Sequence, residues 1–207
     1  MRDFLPFSHD NPSSLLIVIS GPSGVGKDTV IQRMKERNLP FHFVVTATTR
    51  QPRSNEVHGR DYYFVSHEEF ARMIEADELL EFAYVYNDYK GIPRSQVRKA
   101  LDSNRIVVMR LDVQGASTIR RLCPGALLIF LTTLDEEELV NRLKDRDTDS
   151  HEAISMRIAM ARREFTRLDE FDYVLVNREH RLDDTVDNIL AIINAEQHRV
   201  HPRKVTL

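Results

Sequence analysis

The sequence is poor in cysteine, has no long apolar run and has no excess of basic residues. Its single cysteine, Cys123, excludes an internal disulfide and argues against a cysteine-based metal site. The longest apolar runs, Leu15–Ile19 and Ala126–Leu131, are far below the roughly 20 residues of a membrane span. Lys and Arg number 29 against 32 Asp and Glu, which argues against a dedicated nucleic-acid binder. We therefore expect a cytoplasmic protein with small-molecule partners, no nucleic acid and no membrane, and nothing in the sequence indicates an oligomeric state.

What the sequence does contain is enough apolar material for a core. Hydrophobic residues make up 42% and charged residues 29% of the 207 residues, which excludes wholesale disorder. At about 150 residues per domain, this length favours one compact body with an insertion. Apolar runs predict buried strands at 15–19, 106–109, 127–131 and 173–176. Helical spacing predicts helices at 28–37, 94–103, 115–122, 135–144, 152–168 and 182–196. This alternation predicts an α/β fold, with a parallel sheet and helices on both faces.

Residues 48–92 interrupt the alternation of strands and helices. Tyr62–Val65 and Leu79–Tyr86 read as strands, and Ser66 with Glu69 forms a capping box that opens a helix between them. We interpret this stretch as a small α+β insertion. Outside the α/β core we expect a polar leader at residues 1–14 and a basic, solvated tail over the last ten residues.

A glycine-rich segment follows the first predicted strand and opens the first predicted helix. It consists of Gly21, Pro22, Ser23, Gly24, Val25, Gly26 and Lys27, in the pattern G-x-x-x-x-G-K. Such a loop aims backbone N–H groups at an anion, and its lysine reaches the β- and γ-phosphates of a nucleoside triphosphate. Directly after the lysine, where a Mg²⁺-binding hydroxyl is usual, this sequence has Asp28. Thr29 follows it. The Asp28 carboxylate could hold Mg²⁺ directly or through water, or act as a favourable charge in the first helical turn.

Two further patterns point to ligand binding. Arg50 and Arg53 flank Pro52, and two converging guanidiniums can bind a phosphomonoester dianion bidentately, although surface arginines of this kind also occur without function. Asp112 ends a predicted strand, where open α/β sheets place ligand-contacting groups, and it is also suited to cap the helix that follows.

The segment Thr46–Val65, taken together with the P-loop, resembles guanylate kinases of the nucleoside monophosphate kinase group. Further matching pieces are Glu81–Ala83, Leu111–Gly115 and Arg146–Ser150, so the resemblance covers essentially residues 15–196. It implies Mg²⁺-dependent transfer of a phosphoryl group from ATP to GMP or dGMP, which converts GMP to GDP and leaves ADP.

The resemblance also divides the chain and assigns its residues. It implies a P-loop core at 15–47 and 93–207, a GMP-binding insertion at 48–92 and a mobile lid at 142–157. ATP binding is assigned to the P-loop, Asp28, Thr29 and Asn177, and catalysis to Lys27, Arg142, Arg146 and Arg157. GMP binding is assigned to Thr46, Arg50, Arg53, Glu56, Tyr62, Glu81, Lys90 and Asp112. Within that set, Glu81 and Thr46 are placed at the guanine edge. Asp112 is placed near the water shell of Mg²⁺, an ion that Asp28 of the P-loop could also hold through water.

Two positions depart from the family pattern, and two other functions compete with this one. Lys90 and Ile92 stand where a phosphate-binding tyrosine and a small hydroxyl residue are usual. The Gly-Lys-Asp sequence in the P-loop also resembles the kinase that phosphorylates ribose 1,5-bisphosphate, which would need no guanine contacts. Guanylate-kinase-like domains also serve as non-catalytic interaction modules, in which the nucleotide site is typically degraded.

Overall fold

The protein folds around two β-sheets that share one cleft. The structure is a computed structural model, and it describes residues 14–85, 87–103, 105–144 and 151–207. The strands are β1 (Leu16–Ser20), β2 (Phe41–Phe43), β3 (Thr46–Thr48), β4 (Tyr62–Phe64), β5 (Leu79–Val85), β6 (Asp88–Pro93), β7 (Ile106–Arg110), β8 (Leu127–Thr132) and β9 (Tyr173–Val176). The helices are α1 (Lys27–Glu36), α2 (His67–Glu75), α3 (Arg94–Asp102), α4 (Val113–Leu122), α5 (Glu136–Lys144), α6 (His151–Phe165) and α7 (Leu182–Gln197), with a 3₁₀ turn at Leu168–Glu170. Among these described helices, none has the length and apolarity needed to cross a membrane.

The first sheet is entirely parallel and has the strand order β2-β7-β1-β8-β9. Its central strand β1 is buried along its whole length, as a strand covered on both faces must be. Ile17 and Ile19 point into an apolar cluster with side chains of α1 and α7, whereas Leu16 and Val18 point into a second cluster with side chains of α3 and α4. The predicted α/β class, with helices on both faces of a parallel sheet, is therefore confirmed.

The second sheet has the order β4-β3-β6-β5 and is mixed, because β3 pairs in parallel with β4 and antiparallel with β6. Helix α2 covers it through Phe70, which is fully buried. Ser66 caps this helix, since its hydroxyl accepts a hydrogen bond from the Glu69 N–H at 3.0 Å, as the capping box predicts. Strands β2, β3 and β6 were not predicted, because β2 and β3 have only three residues each and β6 carries residues that are rare in strands.

The topology brings functional segments of both sheets to one place. Strands β1 and β7 are parallel neighbours, so the P-loop after β1 and the Arg110–Asp112 segment at the end of β7 lie side by side. Strand β5 of the second sheet packs on α4, the helix that begins directly after Asp112. The cleft therefore lies between the carboxyl ends of the first sheet and the inner face of the second, as expected for open α/β folds.

The C-terminal segment, residues 198–207, packs against the body of the protein. Arg203 donates a hydrogen bond to Glu196 at 2.7 Å, and the Glu196 side chain is 2% exposed. Val205 packs against an apolar cluster, and the carbonyl oxygen of Lys204 lies so close to Gly125 that a Cβ there would be 2.0 Å from it. The expectation of a solvated tail therefore holds for most of these residues, which are exposed, but not for Arg203 and Val205, which attach the segment to a buried carboxylate on α7 and to an apolar cluster. The predicted leader lies outside the described residues except for Ser14.

Candidate active site

The P-loop owes its shape to glycines in backbone conformations that other residues rarely adopt. Gly21 has φ 132°, and a Cβ at this position would lie 2.2 Å from the Leu131 carbonyl oxygen. Gly26 has φ 90° and forms the N-cap of α1. A side chain at either position would push the loop away from β8 or from the residues behind it. The loop therefore presents its N–H groups at the start of a helix, where they form an anion site.

Lys27 lies across this loop. Its ammonium group donates hydrogen bonds to the carbonyl oxygens of Gly21 and, at 2.7 Å, Pro22. Loss of solvation in the cleft lowers the pKa of Lys27 to about 8. Anionic phosphate oxygens near this ammonium would favour its charged form, so the lysine is suited to hold a polyphosphate.

Two predicted residues support the loop from behind. Asn177 is buried and donates to the Val25 carbonyl oxygen at 2.8 Å, and its own side-chain oxygen accepts from Thr185 at 3.0 Å. Arg142 donates to the same Val25 oxygen at 3.3 Å and to the Asn177 carbonyl oxygen at 2.7 Å. Neither residue lines the cleft. The contacts of Asn177 with adenine and of Arg142 with the transferred group stay predictions.

The paired arginines line the same cleft as the P-loop. Arg50 donates hydrogen bonds to both carboxylate oxygens of Glu56 at 2.8 and 2.9 Å, and its guanidinium lies 5.2 Å from the centre of the Tyr62 ring. Glu56 also accepts from the Arg53 N–H at 2.8 Å. Glu56 therefore holds the arginine-bearing turn in place and does not line the cleft. Its assignment as a GMP ligand stays a prediction.

Most of the assigned residues line a single cleft. These are Gly21, Ser23, Gly24, Gly26, Lys27, Asp28, Thr29, Thr46, Arg50, Arg53, Tyr62, Glu81, Lys90, Asp112 and Arg157. The cleft has four further lining residues that the sequence analysis did not assign to a binding or catalytic site. They are Asp88, Arg110, Leu111 and Glu164. Pro22 and Val25 contribute backbone to the loop but do not line the cleft, and Arg146 lies outside the described residues.

A buried polar corner closes the cleft on the side of the second sheet. Glu81 is 4% exposed and Thr46 is 3% exposed. Within the described part of the chain, Glu81 Oε2 and Thr46 Oγ1 are buried atoms without a hydrogen-bond partner. Gly115 makes room for the carboxylate, because a Cβ there would lie 2.9 Å from Oε2. Burial, followed by the nearby charge of Asp112, raises the pKa of Glu81 to about 8. Buried polar atoms normally have partners, so these two indicate a ligand that supplies donors.

A carboxylate and a guanidinium face each other between the two ends of the cleft. Asp28 accepts a hydrogen bond from Arg110, the last residue of β7. Desolvation raises the pKa of Asp28, but the charges of Arg110 and Lys27 outweigh it and hold this pKa at about 2. Asp112 caps α4 by accepting from the Gly115 N–H at 2.9 Å, and it lines the cleft at the same time. Its two sequence-based interpretations are therefore compatible.

Helix α6 supplies a further wall. The guanidinium of Arg157 donates to the Ser23 hydroxyl at 2.7 Å and so reaches the P-loop. Glu164 lies two turns further along the same face of α6, and burial raises the pKa of its carboxyl. Glu164 Oε2 is another buried atom for which the described residues provide no partner. The helical spacing 157–164 could have revealed this shared face in the sequence.

The cleft thus combines the P-loop, the paired arginines and a buried corner of hydrogen-bond acceptors. Known proteins resemble this chain in both sequence and fold. A family model described as guanylate kinase matches residues 13–196. Guanylate kinase 2, chloroplastic/mitochondrial, of Oryza sativa subsp. japonica is 49% identical over 95% of this chain and 69% of its own length. Guanylate kinase of Lactobacillus johnsonii is 45% identical over 92% of this chain and 93% of its own length. The crystal structure of guanylate kinase from Anaplasma phagocytophilum has a TM-score of 0.77 and 29% identity, covering 92% of this chain and 89% of that chain. This chain belongs to the guanylate kinase family.

Proposed function

We propose that the protein transfers the γ-phosphoryl group of ATP to GMP or dGMP, and so converts GMP to GDP and ATP to ADP. Family membership supports the reaction class. The observation that carries the proposal is the joint placement of the P-loop, the paired arginines and the unpartnered Glu81 carboxylate around one cleft. A donor triphosphate and an acceptor monophosphate can meet only in such a shared space.

The chain holds the two reacting phosphates by charge and by backbone dipoles. The P-loop N–H groups and Lys27 hold the β- and γ-phosphates of the donor. Arg50, Arg53 and Tyr62 hold the acceptor phosphate, and Lys90 adds a charge where the family usually has a tyrosine. Phosphoryl transfer gains mainly from positioning and from positive charge around the equatorial oxygens. The attacking oxygen of GMP is already anionic, so no general base is required.

The buried corner selects guanine. The N1–H and the amino group of guanine are adjacent donors, and they match the two oxygens of the Glu81 carboxylate. The Thr46 hydroxyl adds a further contact at the base edge. Adenine offers no such pair of donors, so its binding would leave a buried carboxylate unpaired at a cost of several kcal/mol.

A magnesium ion fits the donor set of the cleft. Asp28 and Asp112 supply carboxylate oxygens, which Mg²⁺ prefers, and both line the space next to the P-loop. Within the described residues there is no group of three or more acidic, histidine or cysteine side chains that could hold a metal. The two aspartates would therefore hold the ion through its water shell while nucleotide phosphates complete the shell. When bound, Mg²⁺ neutralises charge on the phosphate oxygens.

The division of the chain is part of the same proposal. We assign residues 48–92 to GMP binding, because the Arg50–Tyr62 arm and Glu81 come from this stretch. We assign residues 142–157 to a lid that excludes water, with Arg157 as its described contact to the P-loop. The role of Arg146 and the cytoplasmic location stay predictions from the sequence.

The proposal is tested by ADP production from Mg-ATP with a panel of acceptors. The panel comprises GMP, dGMP, AMP, CMP, UMP, dTMP and ribose 1,5-bisphosphate. We expect turnover with GMP and dGMP only, and we expect Lys27→Met to abolish transfer while GMP still binds. Turnover restricted to the sugar bisphosphate would replace the proposal with the related kinase activity. ATP binding without turnover for any acceptor would point to an interaction module.

A further inference from the structure

One guanidinium in the cleft contacts both halves of the site. Arg110 ends β7, and its side chain is 13% exposed. One of its terminal nitrogens donates to the carboxylate of Asp28, in the first turn of α1. The other donates to the Asp61 carbonyl oxygen at 3.1 Å. The Cζ atom of the guanidinium lies 4.2 Å from the centre of the Tyr62 ring.

The contact with Asp28 matters because of where this carboxylate lies. Asp28 directly follows Lys27 and lines the anion-binding end of the cleft. Any part of its negative charge that the water shell of Mg²⁺ does not neutralise would repel the triphosphate across a few ångströms. The charge of Arg110 compensates it, and the pairing also turns the carboxylate toward β7.

The contacts on the other side fix the acceptor end. Tyr62 is buried, and the guanidinium carbons of Arg50 and Arg110 lie 5.2 and 4.2 Å from the centre of its ring. A planar fork that donates to the Asp61 carbonyl oxygen and lies over the adjacent ring restricts both the backbone and the ring. Lysine could supply the charge of Arg110 but not this geometry.

We propose that Arg110 is a positioning residue for the phosphoryl transfer: it neutralises Asp28 beside the triphosphate and holds Tyr62 in place for the acceptor phosphate. This inference rests on the proposed function, because it assigns the two ends of the cleft to donor and acceptor. The proposal makes Asp28 and Arg110 an interdependent pair. Loss of the Arg110 guanidinium weakens Mg-ATP binding chiefly because the Asp28 carboxylate is then left without its counter-charge.

A double-mutant cycle tests the donor half. The proteins are wild type, Asp28→Asn, Arg110→Gln and the double variant, compared by kcat/KM for Mg-ATP and by calorimetric titration of Mg-ATP without acceptor. We expect Arg110→Gln alone to lower kcat/KM and the affinity for Mg-ATP by about tenfold or more. In the Asp28→Asn background, the same substitution should lower them by only about twofold. Equal losses in both backgrounds would overturn the proposal, since Arg110 would then act on phosphate itself or only on folding.

The acceptor half is tested by Arg110→Lys, which keeps the charge and loses the fork. We expect KM for GMP to rise about fivefold or more, with KM for Mg-ATP within about twofold of wild type. An unchanged KM for GMP would show that Arg110 does not hold Tyr62. Arg105→Gln, an exposed arginine just before β7, is the matched control and should match wild type in all assays.

Failure of the Arg110 proposal can be distinguished from failure of the proposed function. If the wild type does not phosphorylate GMP, the proposed function fails, while the calorimetric cycle with Mg-ATP still decides whether Arg110 compensates Asp28. Thermal melting of each variant identifies any that has lost its fold. If Arg110→Gln is such a variant, Arg110→Met, which also removes the charge, replaces it in both the wild-type and the Asp28→Asn backgrounds.

Discussion

A carboxylate that is buried without a partner is costly, and Glu81 is such a group. Protonation removes the charge and so reduces this cost, and for that reason burial raises the pKa of Glu81 to about 8. Bound guanine reverses this preference, because its donors stabilise the ionised form. Binding of GMP below pH 8 must therefore expel a proton from Glu81.

This linkage predicts that GMP binds more tightly as the pH rises from 6 to 8. The ionised fraction of a group with a pKa of about 8 is about 1% at pH 6 and half at pH 8, so KM for GMP should fall by about 10- to 50-fold over this range. The measurement is KM for GMP at saturating Mg-ATP across these pH values. The second ionisation of the GMP phosphate, near pH 6, contributes part of the slope.

Glu81→Gln is the control for that phosphate contribution. The amide does not titrate, so the variant should keep only the slope that belongs to the phosphate. It should also lose most of the discrimination between GMP and AMP, because an amide presents one acceptor where the carboxylate presents two. Parallel pH profiles for the variant and the wild type would show that Glu81 does not titrate on binding.

The sequence predicted some site residues and missed others for definite reasons. Lys27 and Arg50 belong to short contiguous patterns, so their chemistry is visible without the fold. Arg110 belongs to no local pattern and reaches the cleft only because β7 lies beside β1. Glu164 shares helical spacing with Arg157, but that spacing leads to the cleft only because α6 lies over the P-loop. Glu56 shows the opposite case: it belongs to the segment Thr46–Val65 that resembles the family, but its side chain bonds to Arg50 and does not line the cleft.

At the scale of single elements, the unexpected one is the C-terminal segment. Its basic residues are typical of a solvated terminus, but Glu196 on α7 is buried and accepts hydrogen bonds from Arg203 and from the Tyr173 hydroxyl at 2.9 Å. No local pattern identifies Glu196 as buried. Strand β6 was missed for a similar reason: Asp88, Lys90, Gly91 and Pro93 oppose a strand, and pairing with β3 and β5 overrides that propensity.

Removal of the Arg203 side chain should destabilise the fold. The Arg203 hydrogen bonds lower the pKa of Glu196, so their stabilisation is present above the ordinary value of 4.5 and is lost as the pH falls below it. We expect Arg203→Ala to lower the free energy of unfolding by about 2 kcal/mol at pH 7. Denaturant unfolding at pH 7 and at pH 3.5 measures this difference, which should shrink at the lower pH.

The matched control for this prediction is Arg181→Ala. Arg181 pairs with Asp184 on the same helix, but both side chains are largely exposed, at 66% and 49%. An exposed pair contributes about 0–1 kcal/mol, so the control should stay close to wild type. Equal stability of Arg203→Ala and wild type at pH 7 would contradict a structural role for the C-terminal segment.

At the scale of the whole molecule, the cleft is built by two sheets that supply different ligands. The first sheet brings the P-loop after β1, and the second brings Thr46 on β3 and Glu81 on β5. The alternation of strands and helices predicted the first sheet, but the order of the second depends on contacts between distant segments. The two half-sites should therefore respond separately to substitution, although they share one cleft.

Ligand-induced shifts in melting temperature test this separation. A ligand at 100 times its Kd stabilises the folded state by about 2.7 kcal/mol, which raises Tm by about 5–10 °C for a protein of this size. Mg-ATP alone and GMP alone should each produce such a shift in the wild type. Lys27→Met should lose the Mg-ATP shift and keep the GMP shift, because only the donor cation is removed. Glu81→Gln should lose most of the GMP shift and keep the Mg-ATP shift. Loss of both shifts in Lys27→Met or in Glu81→Gln would contradict two separable half-sites, since neither sheet would then bind its own ligand without the other.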